Sequence, residues 1–402
     1  EQARAWTDYL ARSCFMLQQG RAVADVLWYY GEDNNVTGLY SHSFPDIPQG
    51  YNFDFASPEV ILKELRVKDG KLCTKSGMQY SVLCLDPNAT RMSPEISERI
   101  EYFKSRGVRV CGYVGEETAA VLAEAGVTPD WIYSGTDSLN FVHRTLPDAE
   151  IYWISSPVSQ RRTAEVSFRV SGLKPYLWHP VTGAMEEVSY RFVDGRTSLS
   201  LDFEPHDAYF IVFRGKTDVN SYEKPSVRTT VLSDLSDGWT VSFRSPFGEE
   251  KSMHLDELRL WNESPDPWVR YFSGTASYKK TITLPECSGS LILDLGEVKN
   301  LAQVYIDGQE VATLWKTPFK TDITDYINGQ TVELEVKVTN LWVNRLIGDS
   351  RLKKSERKTY VPASFYGPED ELLPSGMAGP VRLVCGNNPY PTQTTSADRM
   401  CR

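Results

Sequence analysis

The sequence predicts an α/β plus all-β protein: a Rossmann/flavodoxin-like α/β domain over 1–155, a small antiparallel β unit over 156–217, and a jelly-roll β-sandwich over 226–386. Three observations predict it. Near-continuous apolar runs at 21–30, 79–86 and 108–114 alternate with helical stretches, as strands buried on both faces by helices do. From about 156 onward, strand patterns separated by turn signals replace that alternation. In "TVELEVKV", Val332, Leu334, Val336 and Val338 share one face while Glu333, Glu335 and Lys337 share the other, which marks a sandwich strand with one wet side.

The elements follow in chain order. "ARAWTDYLARSCFMLQQG" spaces Trp6, Leu10, Cys14 and Leu17 as one helical face, flanked by Tyr9 and Met16, and that face needs a partner surface. Ser57-Pro58 and Ser93-Pro94 each set an N-cap before a proline at the first helical position. Gly20, Gly107 and Gly126 each follow a helical stretch as C-cap residues. Asp194-Gly195 and Asp307-Gly308 are hairpin turns, and Pro180-Val181-Thr182-Gly183 is a turn signal. "KTDVNSYEKPS" is a polar linker, and 387–402 is a polar tail expected to be disordered.

Composition excludes several classes. A net charge of −10 argues against a nucleic-acid partner, which needs a basic surface. No apolar run reaches the roughly 18 residues of a membrane span. Seven cysteines include no CxxC pair; Cys84 and Cys111 read as buried thiols, and no disulfide framework is expected. The five histidines show no metal-ligand spacing, so no metal site and no cofactor are expected in this chain. There is no GxGxxG, GxxxxGK[ST] or Gly-x-Ser-x-Gly. The 47 aromatic rings suit either sandwich cores or stacking on sugar C–H faces. Neither an initiator Met nor a signal peptide opens the chain, and the apolar first helix raises the expectation of sequence upstream.

Ligands of a parallel sheet bind beyond the carboxyl ends of its strands, here the loops at 31–55, 86–93 and 115–118. Glu32, Asp33, Asp46, Asp54, Asp86, Glu116 and Glu117 are the carboxylates there. Hydrolysis of a glycosidic bond needs two carboxyls roughly 5–10 Å apart across one cleft. Tyr51 and Asp54, in "YNFDF", are candidate substrate contacts, with an Asx-type turn as the other reading of Asp54. His143 and Arg144 are a second candidate pair, either contacting substrate or forming a seam, with a carboxylate expected beside Arg144. In "TNLWVNRLIGD", Asn340, Trp342 and Asn344 share the parity of Val338 if the strand continues. Asn340, Asn344, Arg345 and Asp349 then form a hydrogen-bonded polar corner, with Trp342 as a candidate sugar contact.

Two sets of motifs carry a resemblance. "FSGTASYKKTITLP", "LDLGEVKNLAQVYIDGQEVATLWKTPFKTDITDYI" and "ELEVKVTN" resemble the sugar-binding, galactose-binding-like jelly roll of glycoside hydrolase family 2. "VTNLWVNRLIGD" and "SGMAGPVRL", together with "YLARSCFMLQQGRAVADVLWYYGED", "GYNFDFASPEVI" and "FVHRTLPDAEIYWISS", resemble the carboxyl-terminal part of the α-L-rhamnosidases of glycoside hydrolase family 106. The resemblance implies an upstream (β/α) barrel that carries the acid and base glutamates and any calcium, with the opening helix as its outer helix. It implies a carbohydrate ligand, the barrel as partner, and a periplasmic or secreted bacterial setting. On this reading the chain alone is weakly active or inactive. A family 2-like hydrolase of another linkage, a lectin-like binding protein and a bare scaffold are the alternatives.

Overall fold

The computed structural model describes residues 2–33, 47–87, 89, 91–112, 115–135, 139–226, 229–362 and 365–386. The tail at 387–402 lies outside the described residues. The chain forms two compact units: Arg12–Pro180 with Met185–Lys224, and Glu1–Ala11 with Val181–Ala184 and Pro225–Arg402. The molecule is predominantly β, with several antiparallel sheets.

Helix α1 (Arg4–Leu17) opens the chain. Its apolar face differs from the expected one: Ser13 and Met16 are buried, whereas Trp6, Leu10 and Cys14 are exposed. Within the first unit named above, Met16 and Leu17 pack on Ile151, Phe210 and Val212.

A four-stranded parallel sheet follows, from β1 (Val26–Tyr29), β2 (Phe53–Ala56), β3 (Val82–Leu85) and β4 (Arg109–Gly112), in the order β2-β1-β3-β4. Alternation along β1 explains why its run is continuous. Leu27 and Tyr29 join the core beneath α2 (Pro94–Ser105), and Val26 and Trp28 join the one containing Leu122 of α3 (Gly115–Glu124). Ser93 caps α2 by accepting from Ile96 N, with Pro94 in the first turn. The run at 79–86 is not one strand. Gln79–Tyr80 belongs to a three-stranded antiparallel sheet with Arg66–Lys68 and Lys71–Cys73, and only Val82–Leu85 is parallel.

The antiparallel part starts earlier than the sequence suggests. β5 (Trp131–Tyr133), β6 (Asn140–Thr145) and β7 (Ala149–Ser155) belong to it rather than to the parallel sheet. They join β8 (Arg162–Phe168), β9 (Leu173–Trp178), β10 (Met185–Glu187), β11 (Tyr190–Val193), β12 (Arg196–Phe203), β13 (Ala208–Lys216) and β14 (Ser221–Tyr222). One sheet, of Arg21–Ala22 and β6-β7-β13-β9-β10, packs on the other, β14-β11-β12-β8-β5. The partner of β7 is β13, over fifty residues later, so this sheet joins residues on both sides of 155, and long-range pairing leaves no local signature. Tyr152, Ile154, Ile211 and Phe213 meet Val166, Phe168, Leu199 and Phe203 in the core between the sheets. Asp194 and Gly195 both adopt positive φ, 50° and 74°, as a two-residue hairpin of this twist requires.

Most of the remaining strands form the second sandwich, beside a two-stranded sheet of Glu297–Lys299 and Gly376–Gly379. One sheet runs β17-β16-β18-β23-β20-β21, from β16 (Asp237–Arg244), β17 (Glu250–Glu257), β18 (Thr275–Thr283), β20 (Leu301–Ile306), β21 (Gln309–Leu314) and β23 (Thr331–Thr339). The other runs β15-β24-β19-β22, from β15 (Thr229–Asp234), β19 (Ser290–Asp294), β22 (Lys320–Asp322) and β24 (Arg382–Gly386). Val332, Leu334, Val336 and Val338 are all buried, facing Leu291, Leu293 and Leu383. Asp307-Gly308, with φ of 47° and 79°, turns β20 into β21.

A disulfide joins Cys287 and Cys385, Cα atoms 5.6 Å apart and 98 residues distant in sequence. This corrects the expectation of none. The two cysteines are neighbours because Leu291 pairs with Cys385 across β19 and β24, a register that cysteine spacing does not encode.

Candidate functional site

Three clusters hold the residues singled out by sequence. The first is the carboxyl end of the parallel sheet. Glu32, just past β1, accepts a hydrogen bond from Ser93 N at 2.5 Å and so ties the first loop to the cap of α2. Asp54, on β2, accepts from the Tyr80 hydroxyl at 2.7 Å, rather than closing an Asx turn. Tyr51 donates to the Val127 carbonyl at 2.9 Å. Asp86, following β3, is buried, and Ala89 N bonds to its carbonyl. The Tyr29 hydroxyl, at the end of β1, is buried without a hydrogen-bond partner among the described residues. Burial, helped by Glu32 and Asp33, pushes its pKa up to about 12, so it stays a donor. Asp46 lies outside the described residues, as do the side chains of Glu116 and Glu117.

The second cluster is a buried network around His143, on β6. Its Nδ1 meets Asp130 Oδ2 at 2.7 Å and its Nε2 meets Glu150 Oε2 at 2.9 Å. The ring stacks on Tyr152, its register partner on β7, at 3.9 Å between centroids. Asp130 Oδ1 accepts from the Tyr152 hydroxyl at 2.7 Å and lies 3.6 Å from Arg169 Nε. Arg169 continues to Asp25 at 3.0 Å, just before β1. Burial disfavours the imidazolium, but the hydrogen bonds it donates to Asp130 and Glu150 outweigh that and raise the His143 pKa above 6.5. Burial likewise opposes the Asp130 carboxylate, and the His143 hydrogen bond and charge reverse the balance, holding its pKa below 3.8. Both nitrogens of His143 are thus committed to carboxylates, which makes it a clamp between strands rather than a group free to meet a substrate. The sequence drew attention to His143 but not to Asp25, Asp130, Glu150 or Arg169, which lie at separate points along the chain.

Arg144 has a different partner from the carboxylate expected. Its Nε and Nη2 donate to the carbonyls of Gln19 and Gly20, at 2.7 and 2.9 Å, in the turn between α1 and the strand Arg21–Ala22. A guanidinium donates to the backbone carbonyls of a turn as readily as to a carboxylate.

The third cluster is "TNLWVNRLIGD". β23 stops at Thr339, and α4 (Val343–Ser350) begins soon after, so the strand parity expected for Trp342 and Asn344 does not extend there. Helical spacing buries Asn344, Ile347, Gly348 and Asp349 instead. Asn340 donates to the Phe272 carbonyl and accepts from Gly274 N, at 2.8 and 3.0 Å. Asn344 pairs with both backbone groups of Leu373, at 2.7 and 2.8 Å. Asp349 Oδ2 accepts from Lys358 N, Thr359 N and the Thr359 hydroxyl, and its Oδ1 lies 3.6 Å from Arg345. Asn340, Asn344 and Asp349 thus complete the backbone of other segments, whereas Asp349 Oδ1 and Arg345 Nε are buried without a hydrogen-bond partner among the described residues. Gly348 lets the Tyr271 ring approach, because a Cβ there would lie 2.7 Å from it. Trp342 is the outward member, 48% exposed, with its ring edge-on to Phe247 at 6.1 Å.

Among the described residues, no group of three His, Cys, Asp or Glu side chains is arranged to hold a metal ion, and no helix is long and apolar enough to cross a membrane.

Comparison with known proteins gives this arrangement its relatives. The model of glycoside hydrolase family 106, described as α-L-rhamnosidase, matches residues 1–119 and 112–192. The solved structure of a rhamnosidase from Novosphingobium sp. PP1Y superposes with a TM-score of 0.83 at 31% identity, over 95% of this chain and 41% of that one. A Formosa agariphila protein whose name assigns it as a β-glucuronidase is 23% identical over 95% of this chain and 57% of its own length. The chain therefore spans about half the length of these relatives or less. These likenesses place the chain among proteins related to glycoside hydrolases. Within that class it is a family 106-like, α-L-rhamnosidase-related chain that ends in a family 2-like jelly roll.

Proposed function

We propose that this chain is the accessory, carboxyl-terminal region of an α-L-rhamnosidase-like glycoside hydrolase acting on rhamnose-containing glycans. The catalytic carboxylates are supplied by a barrel outside it, and calcium, where used, belongs to that barrel. The likeness to the Novosphingobium rhamnosidase, which spans 95% of this chain but 41% of that one, is the observation that carries the reading. The local chemistry agrees with it. Glu32 is spent on a helix cap, Asp54 on Tyr80, and His143 on two carboxylates. The Cys287–Cys385 disulfide supports a periplasmic or secreted setting, since such bonds persist in oxidising compartments.

The β-glucuronidase relative favours a second reading, a hydrolase of another linkage. The exposed Trp342–Phe247 pair favours a lectin-like role for the jelly roll, because flat rings receive sugar C–H faces. Expression of the whole reading frame that contains this sequence separates these readings. Hydrolysis of an aryl α-L-rhamnoside supports the rhamnosidase reading. Hydrolysis confined to an aryl β-D-glucuronide favours the second, and glycan binding with no hydrolysis of either favours the third.

A further inference from the structure

The outer face of the sheet β14-β11-β12-β8-β5 carries a polar groove of about 420 Å³. Strand alternation builds it. Tyr190, Leu199, Leu201 and Val166 point into the sandwich core, so their neighbours Arg191, Ser198, Ser200 and Glu165 point outward. Cross-strand register then aligns them. Arg191 lies opposite Ser198 on one side and Ser221 on the other, and Ser200 lies opposite Glu165. Glu223, two residues beyond Ser221, closes the far edge. The serines are short, so the floor is low, while Arg191, Glu165 and Glu223 rise as walls.

Among the described residues these three charged side chains have no hydrogen-bond or ion-pair partner, although elsewhere in the same unit Lys174 is paired with Glu187, and Lys224 with Glu186. A guanidinium fork and carboxylates left open, with hydroxyls that donate or accept, match the vicinal hydroxyls of a sugar ring. Two carboxylates against one guanidinium disfavour an anion, and the polar floor disfavours an apolar ligand. The volume suits one or two sugar rings.

We propose that this groove is a non-catalytic binding subsite for a neutral saccharide, held by Arg191, Glu165 and Glu223 over the floor of Ser198 and Ser200. It goes beyond the hydrolase reading and rests on none of the catalytic assignments above.

The test uses the 402-residue chain and saturation-transfer NMR with L-rhamnose, D-galactose and D-glucuronate. A neutral sugar should bind in the millimolar range, as a small polar ligand on an open groove does. Arg191→Ala and Ser200→Trp should each weaken that signal at least about tenfold, with the thermal melt unchanged because both positions are exposed. Trp342→Ala should leave it intact. No response from either neutral sugar, a response to glucuronate alone, or a signal removed by Trp342→Ala but not by Arg191→Ala would overturn the proposal. Hydrolysis plays no part in the readout, so a failed rhamnosidase assay and a failed groove remain separate results.

Discussion

Asp130→Ala should lower the unfolding free energy of its unit by about 3–5 kcal/mol, the cost of stripping one partner from a buried charged network. Asp130 is 1% exposed and holds His143, Tyr152 and Arg169 together. Its removal leaves an imidazolium with only Glu150 and leaves the Tyr152 hydroxyl in the core without its acceptor. The two pKa shifts set the pH dependence. His143 titrates higher in the folded than in the unfolded state, so its contribution is complete below pH 6.5 and disappears as pH rises through the folded value. Asp130 titrates lower when folded, so its contribution is complete above pH 3.8 and disappears as pH falls through the folded value. The gap between the wild type and the variant should therefore be widest between those limits and narrow in alkaline solution. Urea unfolding followed by circular dichroism at about pH 5.5 and about pH 9 reads both effects. A loss below about 1 kcal/mol, as for exposed ion pairs, or one independent of pH, would show that the network is ornamental.

Asp349→Ala should cost the jelly-roll unit a similar amount, about 3–5 kcal/mol. Arg345, its side chain 11% exposed, loses its counter-charge, and the backbone of Lys358 and Thr359 loses its acceptor. The damage should appear first in the segment that Asp349 and Asn344 pin from either end, 358–373. Limited proteolysis with mass-spectrometric mapping should show faster cleavage there than in the strands around it, while Asp349→Asn, which keeps an oxygen acceptor, should be cut at an intermediate rate. Equal cleavage of the wild type and Asp349→Ala would mean that the corner does not hold this segment.

Periodicity made parts of the fold legible. The alternation in "TVELEVKV" identified β23 and its buried face, and Asp194-Gly195 and Asp307-Gly308 marked two hairpins, because these signals are local. Partners far apart in sequence were not legible. β6 and β7 read as the end of the α/β region because their sheet neighbour β13 comes much later. The disulfide escaped for the same reason. The site behaved likewise. His143 stood out as a histidine beside an apolar run, but Asp25, Asp130, Glu150 and Arg169 converge on it only through the fold. Arg144 was read as wanting a carboxylate because the carbonyls of a distant turn do not show in a sequence. "TNLWVNRLIGD" announced buried polar groups, and the switch from strand to helix after Thr339 turned Trp342 outward instead of leaving it on the face of Val338.

The most direct test is steady-state hydrolysis of an aryl α-L-rhamnoside by the 402-residue chain alone. If the catalytic carboxylates lie outside this chain, no turnover above the buffer rate is expected. Turnover at an ordinary enzymatic rate of about 1 s⁻¹ or more, persisting in the Glu32→Ala and Asp54→Ala variants, would contradict that assignment and place a complete active site within these residues.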